Sequence, residues 1–228
     1  MNKFLKGLYD GIPIALGYLS VSFGFGILAV HSGLTIFQSV MISLTNLTSA
    51  GQVAGVDVIS THGTLIQMAI MQLVINIRYS LMAISLSQKT DESFTLPHRI
   101  AASFGITDEI FAVCYASPDK VVPAYMYGVI LIAAVGWVGG TFLGALLGEI
   151  LPADISAALG ILLYGMFTAI VVPAAKKSRG VLFAAVLAAF LNMFVRHIPG
   201  ISAGMSVIIC AVAVSFAAAA IFREGDEE

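Results

Sequence analysis

The sequence predicts an all-α fold, a polytopic transmembrane helical bundle, and three observations predict it. Of 228 residues, 59% are hydrophobic and 11% charged, and the mean hydropathy is +0.97. A soluble domain carries roughly 45–50% apolar and ~25% charged residues, so this chain lacks the polar side chains to cover a water-facing surface. A disordered chain is excluded by the same composition, since low hydrophobicity is what prevents burial there. The third observation is the spacing of the charges. Residues 7–77 carry only Asp10 and Asp57, residues 121–175 only Glu149 and Asp154, and residues 180–222 only Arg196. A helix needs about 20 mostly apolar residues to cross a ~30 Å hydrocarbon core, so each gap holds one or more spans.

Six full spans follow in order, within a single transmembrane domain covering 1–228. The run 12–30 follows Lys3 and Lys6 and has the charge pattern of a signal peptide, but it is too long for an ordinary h-region and reads as a retained first helix. Segments 64–86, 125–151, 155–174, 181–195 and 203–222 complete the set. Two further stretches are interrupted. Residues 36–59 are long enough to span but contain NLTSAGQVAGVD at 46–57, and 100–116 carries Thr107, Asp108 and Glu109 in its middle.

Cytoplasmic loops are enriched in Lys and Arg, which tests the two stretches. If both span, the chain has eight crossings; with a cytoplasmic N-terminus, seven basic residues lie inside and Lys89, Arg99 and Arg196 outside. If both are broken or re-entrant, Lys89 and Arg99 move inside and the count becomes nine against one. The second arrangement fits better, and both put the two termini in the cytoplasm. Interrupted backbone at membrane depth is tolerated only where it is buried in protein or lines a watery cavity, and in transporters it commonly forms the substrate site.

Few residues carry chemistry. Asn46, Thr48, Ser49 and Gln52 gather around Gly51 and Gly55, where they suit either a polar ligand or a capped half-helix packed on its neighbours. Arg78 follows Asn76 deep in an apolar run and precedes Tyr79. A cation there costs roughly 2.5–3.5 kcal/mol on insertion scales and needs a partner or a cavity. Its guanidinium fork suits a carboxylate, in a substrate or in an acidic side chain. Asp108 and Glu109 are the obvious counter-charges; on a helix they point about 100° apart, so one can pair with Arg78 while the other faces water or an ammonium. The competing reading is that Thr107 caps a short helix with acids in its first turn. Asp57 stands either at the end of a broken helix or in the loop before His62.

Gly136, Gly140, Gly144 and Gly148 form a smooth strip on one helix, suited to close packing within this chain or against another subunit. Arg196 and His197 precede Pro199–Gly200 in an interfacial loop. Cys114 and Cys210 read as small buried hydrophobes, and four scattered histidines give no metal cluster. With net charge −2 there is no clustered basic surface for nucleic acid. No GxxxxGK[ST] or HExxH motif is present, no cofactor or enzyme chemistry is expected, and transport is secondary or powered by a separate subunit.

The segments GLYDGIPIALGYLSVSFGFGILA (7–29), TSAGQ (48–52), NIRYSLMAISLS (76–87) and FGITDEIFA (104–112) together resemble the AzlC family, the large subunit of branched-chain amino acid exporters. Val53 stands where that family often has Phe, and Tyr79 where it often has His; both departures fall in the expected site. The resemblance implies export of leucine, isoleucine, valine and analogues from a multi-pass cell-membrane protein. It also implies a small hydrophobic AzlD-like partner subunit, for which the glycine strip is one conceivable surface. A zwitterionic amino acid would place its carboxylate near Arg78 or at Ser49–Gln52 and its ammonium near Asp108 or Glu109, with protonation of one carboxylate as the coupling event. A channel or a non-transporting assembly subunit is the alternative.

Overall fold

The computed structural model describes residues 2–148, 168, 171–173, 175–176, 178–198, 201 and 203–222. Among these the chain is all helical: α1 Lys3–His31, α2 Ile36–Thr45, α3 Ala50–Ser60, α4 Leu65–Ser87, α5 Leu96–Ser103, α6 Asp108–Ala116, α7 Pro123–Gly148, α8 Arg179–Val195 and α9 Ala203–Ile221. Three of them, α1, α4 and α7, are long and apolar enough to cross a membrane. The expected span 155–174 lies outside the described residues except for 168 and 171–173, as do 149–151 at the end of the 125–151 span. The helices form two compact units, one of 1–53 and 76–163, the other of 54–75 and 164–228.

The first unit is built on α1 and α7. These run parallel and touch backbone to backbone: a Cβ on Gly7 would strike the carbonyl of Tyr125, and on Gly136, Gly140 and Gly144 the carbonyls of Ala15, Leu19 and Phe23. Glycines of both helices make the seam, since a Cβ on Gly128 meets Phe4 and on Gly26 meets Thr141. The 136–148 strip is therefore occupied by this chain's own first helix, and a partner subunit needs another surface. At one end of the pair Lys3 bridges to Asp119 (3.0 Å) and the Tyr125 hydroxyl donates to Asp10 (2.9 Å). The Lys3 hydrogen bond and charge hold the Asp119 carboxyl below its ordinary range. At the other end His31 Nε2 meets the Gly148 carbonyl at 3.3 Å.

Both interrupted stretches are broken helices. Helix α1 stops where Gly33 turns the chain at φ +89°, a conformation that favours glycine. Thr35 then opens α2 with a capping box, its hydroxyl accepting from Gln38 N while Gln38 Oε1 accepts from Thr35 N. Residues 46–49 separate α2 from α3. Helices α5 and α6, with 8 and 9 residues, are each only about 12–14 Å long. They form a hairpin closed at its base by the Thr90–Val121 bridge, where Val121 N donates to Lys89 O (2.9 Å) and Asp91 N to Val121 O (3.1 Å). The hairpin tip at 104–107 packs against α7, with Gly105 seated on Ile130.

In the second unit α8 and α9 are antiparallel. Asn192 Nδ2 donates to Ser206 Oγ at 2.9 Å, and the Phe183 and Phe222 rings lie 5.5 Å apart. Val58, Met71 and Ile208 form its small core. Arg196 and His197 occupy the turn after α8, and Pro199–Gly200 lie outside the described residues.

The seam gives a paired test. Gly140→Val should destabilise the protein by about 1–3 kcal/mol, because overpacking forces the backbones apart. Gly139→Ala, whose Cβ meets nothing within 4 Å, should leave thermal unfolding in detergent unchanged.

Candidate functional site

The two helix breaks of the first unit converge on one side chain from each seam helix, Tyr18 of α1 and Trp137 of α7. Their rings meet edge to face at 5.1 Å, and both are buried. On one side Trp137 Nε1 donates to Gln52 Oε1 (2.8 Å), Gln52 Nε2 donates to Ser43 Oγ (2.9 Å), and Ser43 shares a 2.7 Å hydrogen bond with Thr141. Gln52, Ser43 and Thr141 are all buried, so this chain of bonds satisfies polar groups that would otherwise be costly at such depth.

On the other side the Tyr18 hydroxyl lies 2.5 Å from both Glu109 Oε2 and Thr107 Oγ1. A phenol has one proton; it goes to the carboxylate, and the Thr107 hydroxyl donates back. Thr107 also caps α6, accepting from Ile110 N. The first turn of α6 thus presents Asp108 and Glu109 at the positive end of a helix dipole. Asp108 turns away from Tyr18 and pairs with Arg78 at 2.8 Å. Arg78 also donates toward the Tyr79 hydroxyl (3.4 Å), with its guanidinium 5.1 Å from that ring's centre. The pair is half-exposed, 47% and 39%, so a ligand can reach it.

Of the residues expected from sequence, the structure brings together Arg78, Tyr79, Asp108 and Glu109 around the α6 N-terminus, and Gln52 on the far side of the Tyr18–Trp137 pair. Thr48 and Ser49 form the break before α3, their carbonyls accepting from Gly51 N and Val53 N; Ser49 has the unusual φ of +23°. The Thr48 hydroxyl oxygen is buried with no hydrogen-bond partner among the described residues. Asn46 ends α2 in an extended conformation, and Asn76 lies half-buried on α4, two residues before Arg78. Asp57 belongs to the other unit, in the last turn of α3, where its carbonyl accepts from the Thr61 hydroxyl. Among the described residues no group of three or more His, Cys, Asp or Glu could hold a metal.

Tyr18, Trp137, Ser43 and Thr141 were invisible as site residues in the sequence. One signal existed: Trp137 is the sole tryptophan, and it sits in mid-span, whereas tryptophans of membrane proteins favour the interface. A buried indole N–H needs an acceptor, so a buried amide was to be expected beside it.

Tyr18→Phe keeps the ring contact and removes the donor to Glu109. It should cost about 1–3 kcal/mol of stability, the penalty for a buried polar group left short of a partner. Arg78→Ala should be more destabilising than Arg78→Ala combined with Asp108→Asn, because the single change strands a carboxylate; a double-mutant cycle on thermal unfolding reads the coupling.

The family described as AzlC protein matches residues 13–151, more than half of the chain and all of the residues just described around Tyr18. The chain is 32% identical over 172 residues to an uncharacterized membrane protein of Archaeoglobus fulgidus, covering 75% of each. It is 27% identical over 192 residues to the inner membrane protein YgaZ of Escherichia coli K12, covering 81% of this chain and 78% of that one. A membrane protein of Helicobacter pylori 26695 is 29% identical over 157 residues. No solved structure matches. The mid-span ion pair, the broken helices and these similarities lead to one conclusion: the chain belongs to the AzlC family of membrane proteins.

Proposed function

We propose that this protein is the large subunit of a secondary, proton-coupled exporter of branched-chain amino acids, acting in the cell membrane with a small hydrophobic AzlD-like subunit. The observation that carries the reading is the half-open Arg78–Asp108 pair at the α5–α6 break, with a second carboxylate, Glu109, beside it. A zwitterion exchanges into such a pair without net change of charge: its carboxylate takes the guanidinium fork, and its ammonium takes Asp108. The Thr48 hydroxyl, without a hydrogen-bond partner among the described residues, supplies a further polar contact at the other break. Glu109 is the proton carrier, and the Tyr18 hydroxyl positions its carboxylate. Membrane-family relatives and three spanning-type helices support the cell-membrane placement.

The reading includes six full crossings with both termini cytoplasmic. It is supported by the first unit's geometry, in which Lys3 pairs with Asp119 and the 89–91 backbone pairs with Val121. Lys3, Lys89 and Lys120 therefore share one end of the α1–α7 pair, as the re-entrant arrangement of α5 and α6 requires. Eight crossings would put Lys89 on the opposite face from Lys3.

Two measurements test the proposal. In cells preloaded with labelled leucine and co-expressing the small subunit, Arg78→Ala and Glu109→Gln should each lower efflux at least about tenfold, some 1.4 kcal/mol of barrier. Wild-type rates in both folded variants would sink it, and a charge-swapped Arg78/Asp108 pair that exports normally would assign the pair to assembly instead. A cysteine placed at Lys89 should react with a membrane-impermeant thiol reagent only from the cytoplasm; the native Cys114 and Cys210 are buried.

A further inference from the structure

Beside the hairpin base lies an open pocket of about 400 Å³, walled by the last turns of α4, by α5 and by Met126 of α7. None of the residues lining it belongs to the Tyr18 cluster, and the mechanism proposed above does not use it. Most of its wall is aliphatic, from Ala102, Ile106 and Met126. One cation stands in that wall. Arg99 Nε donates to the Phe94 carbonyl (2.9 Å) and Nη2 to Thr90 Oγ1 (3.3 Å), which fixes the guanidinium and leaves three of its five N–H groups. Among the described residues no carboxylate lies within 4 Å of it. The nearby Asp91 carboxylate is turned to the Ser93 N–H and hydroxyl.

The same wall offers acceptors. The Ser87 hydroxyl donates to the Ile84 carbonyl (2.6 Å) and the Ser103 hydroxyl to the Ile100 carbonyl (2.7 Å). Their protons are committed, so their oxygens can only accept. A fixed guanidinium, hydroxyl acceptors and an aliphatic wall are complementary to one chemistry: a carboxylate, an ammonium and a short apolar side chain on a single small molecule.

We propose that this pocket is a loading site for a free aliphatic α-amino acid, with the carboxylate on Arg99, the ammonium on Ser87 and Ser103, and the side chain against Ala102, Ile106 and Met126. The identity of the ligand as the transported substrate rests on the export reading above. The pocket opens at the end of the first unit that carries Lys3, Lys89 and Lys120, the cytoplasmic face in that reading, where an exporter takes up its cargo.

The test measures leucine efflux against internal leucine concentration, together with equilibrium binding of labelled leucine to the purified full chain in nanodiscs of zwitterionic lipid. Arg99→Gln should raise KM about five- to tenfold and weaken binding equally while the maximal rate is retained, and Arg99→Lys should recover part of the loss. Ala83→Phe, which fills the pocket from the α4 wall and leaves Arg99 in the sequence, should raise KM in the same way. Unchanged KM in both folded variants overturns the proposal, as does a lower maximal rate at unchanged KM, which would make Arg99 a brace of the 90–94 loop. An Arg99→Gln effect seen only with anionic lipid present overturns it in favour of a headgroup. If the wild type exports no leucine, the functional reading fails by itself, and the binding arm still decides the pocket: binding lost in Arg99→Gln upholds it, and no binding by the wild type overturns it.

Discussion

Everything in the first unit depends on how closely α1 and α7 approach. Lipid tails are as apolar as leucine, so helices in a bilayer gain little from hiding apolar side chains; they gain from dispersion contacts and from backbones that come near each other. Glycines on both helices remove every Cβ that would hold the carbonyls of Ala15, Leu19 and Phe23 away from α7. That approach sets Tyr18 against Trp137, and those two side chains are the posts to which both broken helices are tied.

A broken helix at membrane depth exposes peptide groups that lipid cannot satisfy, and each would cost several kcal/mol, to order of magnitude. The chain meets this demand locally. Thr107 caps α6, the carbonyls of Thr48 and Ser49 begin α3, and Gln52 spans from the indole to Ser43. What remains after that accounting is a small set of charges whose arrangement exceeds structural need. One acid neutralises Arg78, and a second acid is held by a phenol instead of by a cation. Two carboxylates adjacent in sequence thus have different partners, which is the kind of asymmetry that separates a binding role from a proton-carrying one.

Scarcity made part of this legible in the sequence. Arg78 and the Asp108–Glu109 pair stand out because nothing else nearby is charged, and the glycines every four residues announce a close contact. The interruptions at 46–49 and 104–107 show as polar residues inside apolar runs. Tyr18 and Trp137 do not show, because aromatic residues are ordinary in a span and their partners lie 85–91 residues away in sequence. The glycine strip indicates that something packs there without saying what, and only the matching glycines of α1 identify it.

The parallel seam also governs how the protein is made. Its contacts join residues about 120 apart, Ala15 to Gly136 and Phe23 to Gly144. At synthesis rates of roughly 5–20 residues per second, α7 leaves the ribosome on the order of ten seconds after α1. For that interval the first helix sits in the membrane with its glycine face bare and the Tyr18 hydroxyl without Glu109 or Thr107. The hairpin α5–α6 is completed just before α7, so the nascent chain holds both of its latch residues ready when the last wall arrives. Assembly of this centre is therefore late, and a ribosome stalled before residue 123 would leave an inserted chain that lacks Trp137, Thr141 and the whole α1–α7 seam.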